Sequence, residues 1–117
     1  FDQLKRCLQK DTILGITCGN DLSVVKWADE NKLDYISFCS MFPSTTANSC
    51  ELVSFETIKA TRKITSLPIF LAGGINKDNI KKASEHVQPY GIDLCSSVRA
   101  NGQLDESKLE ALFNTLQ

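Results

Sequence analysis

Four short apolar runs punctuate the chain at similar intervals: TILGIT (12–17), DYISFCSMF (34–42), LPIFLAGG (67–74) and GIDLCSSV (91–98). Each is rich in β-favouring residues, has the length of a buried strand and meets small or turn-forming residues at its end. Between them the apolar positions recur at helical spacing. Leu22, Val25 and Ala28, with Val24 and Trp27 beside them, predict a helix after Asp21, whose carboxylate suits an N-cap. Ser54 is placed to cap a second helix carrying Ile58, Thr61 and Ile64. Asn76 is placed to cap a third, with Ile80, Ala83 and Val87 on one face. Asp105 precedes a fourth, in which Leu109, Leu112, Phe113 and Leu116 give the i, i+3, i+4, i+7 stripe. Residues 1–9 read as the tail of one more helix, with Leu4, Cys7 and Leu8 as its apolar face.

The order α-βα-βα-βα-βα predicts an all-parallel sheet with right-handed crossovers. An open doubly wound sheet satisfies it, and so do four consecutive units of a (β/α)8 barrel. A complete barrel takes roughly 200–250 residues. A single domain spanning 1–117 therefore corresponds to half a barrel. A half-barrel leaves two sheet edges unpaired. The expectation is completion by residues upstream of Phe1, or pairing with another half in a homo-oligomer.

Composition adds exclusions. Apolar content of 42% and charged content of 23% are those of an ordinary globular domain. The net charge is −1 with cations scattered among acids, so neither nucleic acid nor an anionic membrane is an expected partner. No apolar run approaches the ~20 residues of a membrane span, and no signal-peptide pattern follows Phe1. The expected location is the cytoplasm. The cysteine count is odd, at five, with no CxxC, and His86 is the lone histidine. Free, mostly buried thiols are expected, rather than disulfides or a zinc site.

Ligands of parallel α/β folds gather at the carboxyl ends of the strands. That rule selects Thr17, Cys18, Gly19 and Asn20, then Cys39, Ser40 and the loop FPSTTANS (42–49). Gly73 and Gly74 follow, then Cys95, Ser96 and Ser97. The set is rich in hydroxyls and small residues and nearly free of charge, which suits a phosphate held by backbone amides. Gly73-Gly74 lead toward the Asn76 helix, whose N-terminus adds partial positive charge. A plain βα turn is the alternative for the glycines, and packing is the alternative for Cys39 and Cys95. Arg99 either clamps an anion or decorates the surface. Asp93 faces either the barrel interior or the helices.

With these motifs in place, the chain resembles the C-terminal half of thiamine phosphate synthase and its TenI-like relatives. The resemblance rests on GIT (15–17), on DYISFCSMFPSTTA (34–47) beside the family's DY strand and FPTxTK-type loop, and on LPIFLAGGI (67–75) beside its PVVAIGGI-type strand. It implies a phosphate site at Ser44, Thr46, Gly73, Gly74 and Ser96, with Ser97 beside it. It also implies substrate contacts from Thr17, near a pyrophosphate, and from Thr45 and Cys39. The implied reaction couples hydroxymethylpyrimidine pyrophosphate to thiazole phosphate with magnesium, whose ligands would lie outside this chain. One position departs from the pattern: the loop lysine is Ala47. Residues 71–113 also resemble phosphoribosylanthranilate isomerase. That family's catalytic cysteine and aspartate fall at Leu14 and Cys39 here, so neither group is present. A TenI-like binder of phosphorylated ligands without turnover is a third reading, supported by Ala47.

Overall fold

A computed structural model describes residues 2–9, 11–42 and 52–116. Its centre is a four-stranded parallel sheet in the order β1-β2-β3-β4, formed by β1 (Gly15–Cys18), β2 (Tyr35–Phe38), β3 (Ile69–Leu71) and β4 (Gly91–Ile92). The α-helices among the described residues are α1 (Asp2–Cys7), α2 (Leu22–Glu30), α3 (Phe55–Ile64), α4 (Ile80–Val87) and α5 (Glu106–Leu116). The α/β alternation is therefore as the periodicity predicts. Among the described residues no helix is long and apolar enough to cross a membrane.

The register puts Cys18 beside Phe38 and Leu71, and Ile16 beside Ile36 and Ile69. Phe38, Leu71, Ile36 and Ile69 are fully buried and Cys18 nearly so. They meet Val25 and Ala28 of α2, Ile58 of α3, and Ile80 and Ala83 of α4 in one core. The alternate positions Thr17, Ser37, Phe70 and Gly91 share a register line on the opposite face. Period-two alternation thus sorts the chain into a covered face and an open one.

Hydrogen-bonding side chains fix where the helices begin. The Asp21 carboxylate accepts from the Ser23 amide at 3.0 Å and the Ser23 hydroxyl at 2.7 Å. Ser54 accepts from the Thr57 amide at 3.2 Å, and Asp105 accepts from the amides of Ser107 and Lys108. The Ser23 hydroxyl, then its amide, hold Asp21 below its ordinary pKa of 3.8; the Ser107 hydroxyl, then the Lys108 amide, do the same for Asp105. Both folded values are depressed, so the caps contribute fully above pH 3.8 and are lost as pH falls through the lower folded values. An acid titration followed by far-UV circular dichroism is expected to lose helix over that range. An Asp21→Asn/Asp105→Asn variant, which keeps capping ability without a titrating group, should show a flatter profile.

Several expectations need correction. The strands are shorter than the apolar runs. In the fourth run only Gly91–Ile92 pair, and Ser96–Val98 wind into a 3₁₀ turn. Beyond it Arg99–Ala100 and Gln103–Leu104 form an antiparallel hairpin, β5 and β6, which the strand pattern did not announce. Its turn residues Asn101 and Gly102 both have positive φ, the Asn-Gly signature of a tight hairpin. The third helix starts at Ile80, not directly after Asn76, because residues 77–79 form a turn. Asn76 still governs the entry: its carbonyl accepts from Ile80 at 2.9 Å and its side chain from the Asp78 amide at 2.9 Å. Finally, α1 has no buried residue, so its Leu4–Cys7–Leu8 face has no core to meet in this half.

Candidate functional site

All four strands are parallel, so the loops after them leave from one end of the sheet. Thr17, on β1, and Ser37, its register partner on β2, join hydroxyls at 3.0 Å on the open face. Cys39 follows Ser37 with the same alternation and is exposed. Asn20 has a structural role there. It donates to the Leu52 carbonyl at 3.0 Å and accepts from the Thr57 hydroxyl at 2.8 Å, tying the β1 loop to the start of α3.

The junction between the β2 and β3 ends is the tightest part of the rim. Ladder-like pairing continues past the strands, with the Met41 amide on the Ala72 carbonyl and the Phe42 amide on the Gly73 carbonyl. Ser40 sits there with φ 61°, buried, its hydroxyl without a partner among the described residues. Gly73 has φ 91°, and a Cβ placed on it would lie 2.2 Å from the Ser40 nitrogen. Only glycine permits that approach. Gly74 follows at φ 68°, and its carbonyl accepts from the Asn79 side chain at 2.9 Å. Among the described residues, the amides of Gly73, Gly74 and Ile75 have no acceptor.

The next loop adds matching groups. Ser96 and Ser97 open the 3₁₀ turn, so their amides likewise lack acceptors among the described residues. Asn76, Lys77 and Asp78 share with Ser97 and the first turns of α5 a cavity of about 320 Å³. The Ser97 hydroxyl is buried and unpartnered among the described residues. Gly73, Gly74, Ser96 and Ser97 thus come from adjacent strand ends and carry unused donors. Arg99 points its side chain to solvent while its carbonyl accepts from Lys108 at 2.9 Å. Asp93 is exposed. Ser44, Thr45, Thr46 and Ala47 lie outside the described residues.

The cysteines correct the burial expectation. Cys7, Cys39 and Cys95 are exposed and free, and Cys18 alone of the described cysteines is buried. Burial pushes the Cys18 thiol up to about 11, which keeps it protonated at neutral pH. A maleimide pulse read by peptide mapping is expected to modify Cys7, Cys39 and Cys95 rapidly and Cys18 only on unfolding. Among the described residues no group of three or more His, Cys, Asp or Glu is placed to hold a metal. A larger cavity of about 520 Å³ lies at the opposite end of the sheet, beside α1, and is lined by Leu8, Leu14 and Asp34. It is not lined by Thr17, Cys39, Gly73, Gly74, Ser96 or Ser97.

These features define a class: four consecutive βα units of a (β/α)8 barrel with small, donor-rich loops at the carboxyl ends of its strands. The solved thiamine phosphate pyrophosphorylase from Pyrococcus furiosus superposes with a TM-score of 0.75 at 23% identity, over 97% of this chain and 53% of that one. A family model described as thiamine monophosphate synthase matches residues 1–100. The chain belongs to that family. The thiamine-phosphate synthase of Pelagibacter ubique is 36% identical over 77 residues, 66% of this chain and 37% of that protein. The N-(5'-phosphoribosyl)anthranilate isomerase of Streptococcus mutans is 30% identical over 96 residues, 80% of this chain and 47% of that protein. The chain thus spans about half the length of the proteins it matches, or less.

Proposed function

We propose that this chain binds a phosphorylated substrate at the ends of β3 and β4 and contributes that site to a thiamine-phosphate-synthase-like transferase. The observation that carries this reading is the pair of left-handed glycines, Gly73 and Gly74, whose amides have no acceptor among the described residues and stand beside the turn opened by Ser96 and Ser97. Amides so placed hold a phosphate at no cost in broken internal hydrogen bonds. The buried Ser97 hydroxyl supplies one further donor. Ser44 and Thr46 would close the phosphate from the loop after β2, with Thr45 contacting the substrate. Thr17, beside Ser37, and Cys39 would face the second substrate on the open side of the sheet.

The reaction proposed joins hydroxymethylpyrimidine pyrophosphate to thiazole phosphate and releases pyrophosphate. No described residue is assigned as general acid or base. This chain's contribution is to bind and position, leaving the pyrimidine substrate to ionise within an ordered site. Magnesium, if the family reaction is retained, falls to residues outside this chain. Ala47 stands where a lysine would neutralise the departing pyrophosphate, a role worth several kcal/mol or so in a buried site. An Ala47→Lys variant is therefore expected to bind pyrophosphate about 10-fold or more tightly.

The isomerase reading draws on the Streptococcus mutans relative. Its acid/base pair is not provided here: Leu14 precedes β1, and Cys39 is a thiol. Calorimetric titration separates the readings. Thiazole phosphate is expected to bind 1:1 and more tightly than a phosphoribosylanthranilate analogue. Preference for the analogue would favour the isomerase, and silence with both ligands would refute the phosphate site.

A further inference from the structure

We propose that the groove between α3 and α4 binds a compact multivalent oxyanion, carrying phosphate or carboxylate groups. The inference goes beyond the site proposed above and does not rest on it: Gly73, Gly74, Ser96 and Ser97 do not line this groove. Its walls belong to the two consecutive βα units in the middle of the sheet, and no residue of α1, β1, β4 or α5 contributes.

The first support is the lining. A cavity of about 270 Å³ is lined by Ile58, Lys59, Arg62 and Lys63 of α3 and by His86 and Val87 of α4. Ile58 and Val87 are buried and make the floor, while the four basic residues are exposed around it. Among the described residues no carboxylate lines it. The two helices carry five Lys and Arg side chains against two carboxylates, Glu56 and Glu85, in a chain whose net charge is −1. Positive charge is thus gathered on this pair of helices.

The second support is that local structure leaves much of this charge unused. Among the described residues neither Lys59 nor Lys63 has an ion-pair or hydrogen-bond partner. They stand four residues apart on one helix, a spacing at which like charges repel. Complementing the end of α3 accounts for Arg62 and Lys63, in its last turn, but not for Lys59. An anion seated among the three turns that repulsion into attraction.

The third support is geometry fixed before any ligand arrives. Arg62 donates to the Leu67 carbonyl at 3.3 Å and to the Gln88 carbonyl at 3.4 Å, which holds its guanidinium across the ends of both helices. Further N–H groups of that guanidinium stay available to an oxyanion. The His86 ring is stacked on Phe55, with centroids 5.0 Å apart and planes within 4°. Holding two of the four basic groups in place lowers the ordering cost of binding. The volume falls just under the about 300–1,000 Å³ of ordinary small-molecule sites, which suits a compact polyanion.

Residue-resolved ¹⁵N NMR of the chain tests the proposal. Tripolyphosphate and citrate are titrated separately at low ionic strength, where exposed charges are least screened. Sodium chloride at matched ionic strength is the control. Saturable shifts are expected at Lys59, Lys63 and His86 with at least one polyanion and not with chloride. The tighter ligand then names the phosphate or the carboxylate source. Lys59→Glu/Lys63→Glu alters two exposed side chains, so circular dichroism should be unchanged while affinity falls by about 10-fold or more. Should that variant fail to fold, Lys63→Gln alone should weaken binding by about 3-fold. Thiazole phosphate added to the same samples reads Gly73 and Gly74, so each site stands or fails by itself. No saturable shift at Lys59, Lys63 and His86 would overturn the proposal. So would an equal response to chloride, or an affinity indifferent to the charge changes.

Discussion

Gly73→Ala is expected to destabilise the fold by about 2–5 kcal/mol, more than alanine at Gly19 or Gly102. Two costs combine. A residue with a side chain held at φ 91° pays roughly 1–2 kcal/mol against its preferred conformations. The new Cβ would also fall 2.2 Å from the Ser40 nitrogen and 2.6 Å from its Cα, and these are backbone atoms. They are tied down on both sides, by Met41 on Ala72 and by the Val53 amide on the Ser40 carbonyl. Relief requires prying the β2 and β3 ends apart. Gly102 isolates the first cost, having φ 79° but nothing within 4 Å of a Cβ, so its alanine variant should lose only about 1 kcal/mol. Gly19, with open space and no positive φ, should tolerate alanine almost without effect. Urea midpoints at constant m-value would rank the three. Because Gly73 also positions unused amides, its variant should lose phosphate affinity under conditions where it remains folded.

Phe38→Ala carries the second large effect, about 3–5 kcal/mol. The side chain is fully buried on the covered face, beside Cys18 and Leu71 in register, and its removal leaves a cavity in the centre of the only described core. Phe70 is the control. It lies one position out of phase, on the open face, partly exposed, and held by edge-on contacts with Tyr35 and Tyr90. In the isolated half its replacement by alanine should cost about 1–2 kcal/mol, the scale of aromatic pairing plus partial burial. Equal losses at the two positions would contradict the division into a covered and an open face.

Hydrophobic periodicity located the helix faces because it records burial directly: Val25, Ala28, Ile58, Ile80 and Ala83 occupy the core as expected. The strand runs read as buried throughout, and the structure adds their division, with Ile36 and Phe38 on the covered face and Tyr35 and Ser37 on the open one. Element ends were less legible, since hydrogen-bond geometry decides them. The run GIDLCSSV stays β-rich through Val98, yet pairing stops at Ile92 and the serines begin a 3₁₀ turn. Asn76 and Asn79 are equally good caps by residue type, and the helix proper begins only after the second. Asn101-Gly102 was a readable hairpin signal that strand counting passed over. The thiols were misjudged because average burial says nothing of position: Cys39 directly follows β2, Cys95 precedes the 3₁₀ turn, and Cys7 sits on a helix with no buried residue.

In the candidate site, the glycines and serines were visible as residue types. Their geometry was not. No sequence rule indicates that Gly73 is clasped against Ser40, or that the Ser97 hydroxyl is buried without a partner among the described residues. Asn20 looked like a ligand contact and proves to be a brace between two loops.

The central claim, a phosphate held by the amides after β3 and β4, is tested most directly by residue-resolved ¹⁵N NMR during titration with thiazole phosphate. Saturable shifts should concentrate at Gly73, Gly74, Ser96 and Ser97, with the covered-face amides of Ile36 and Leu71 unmoved. Saturable shifts confined to other residues, or none at any concentration, would contradict the account.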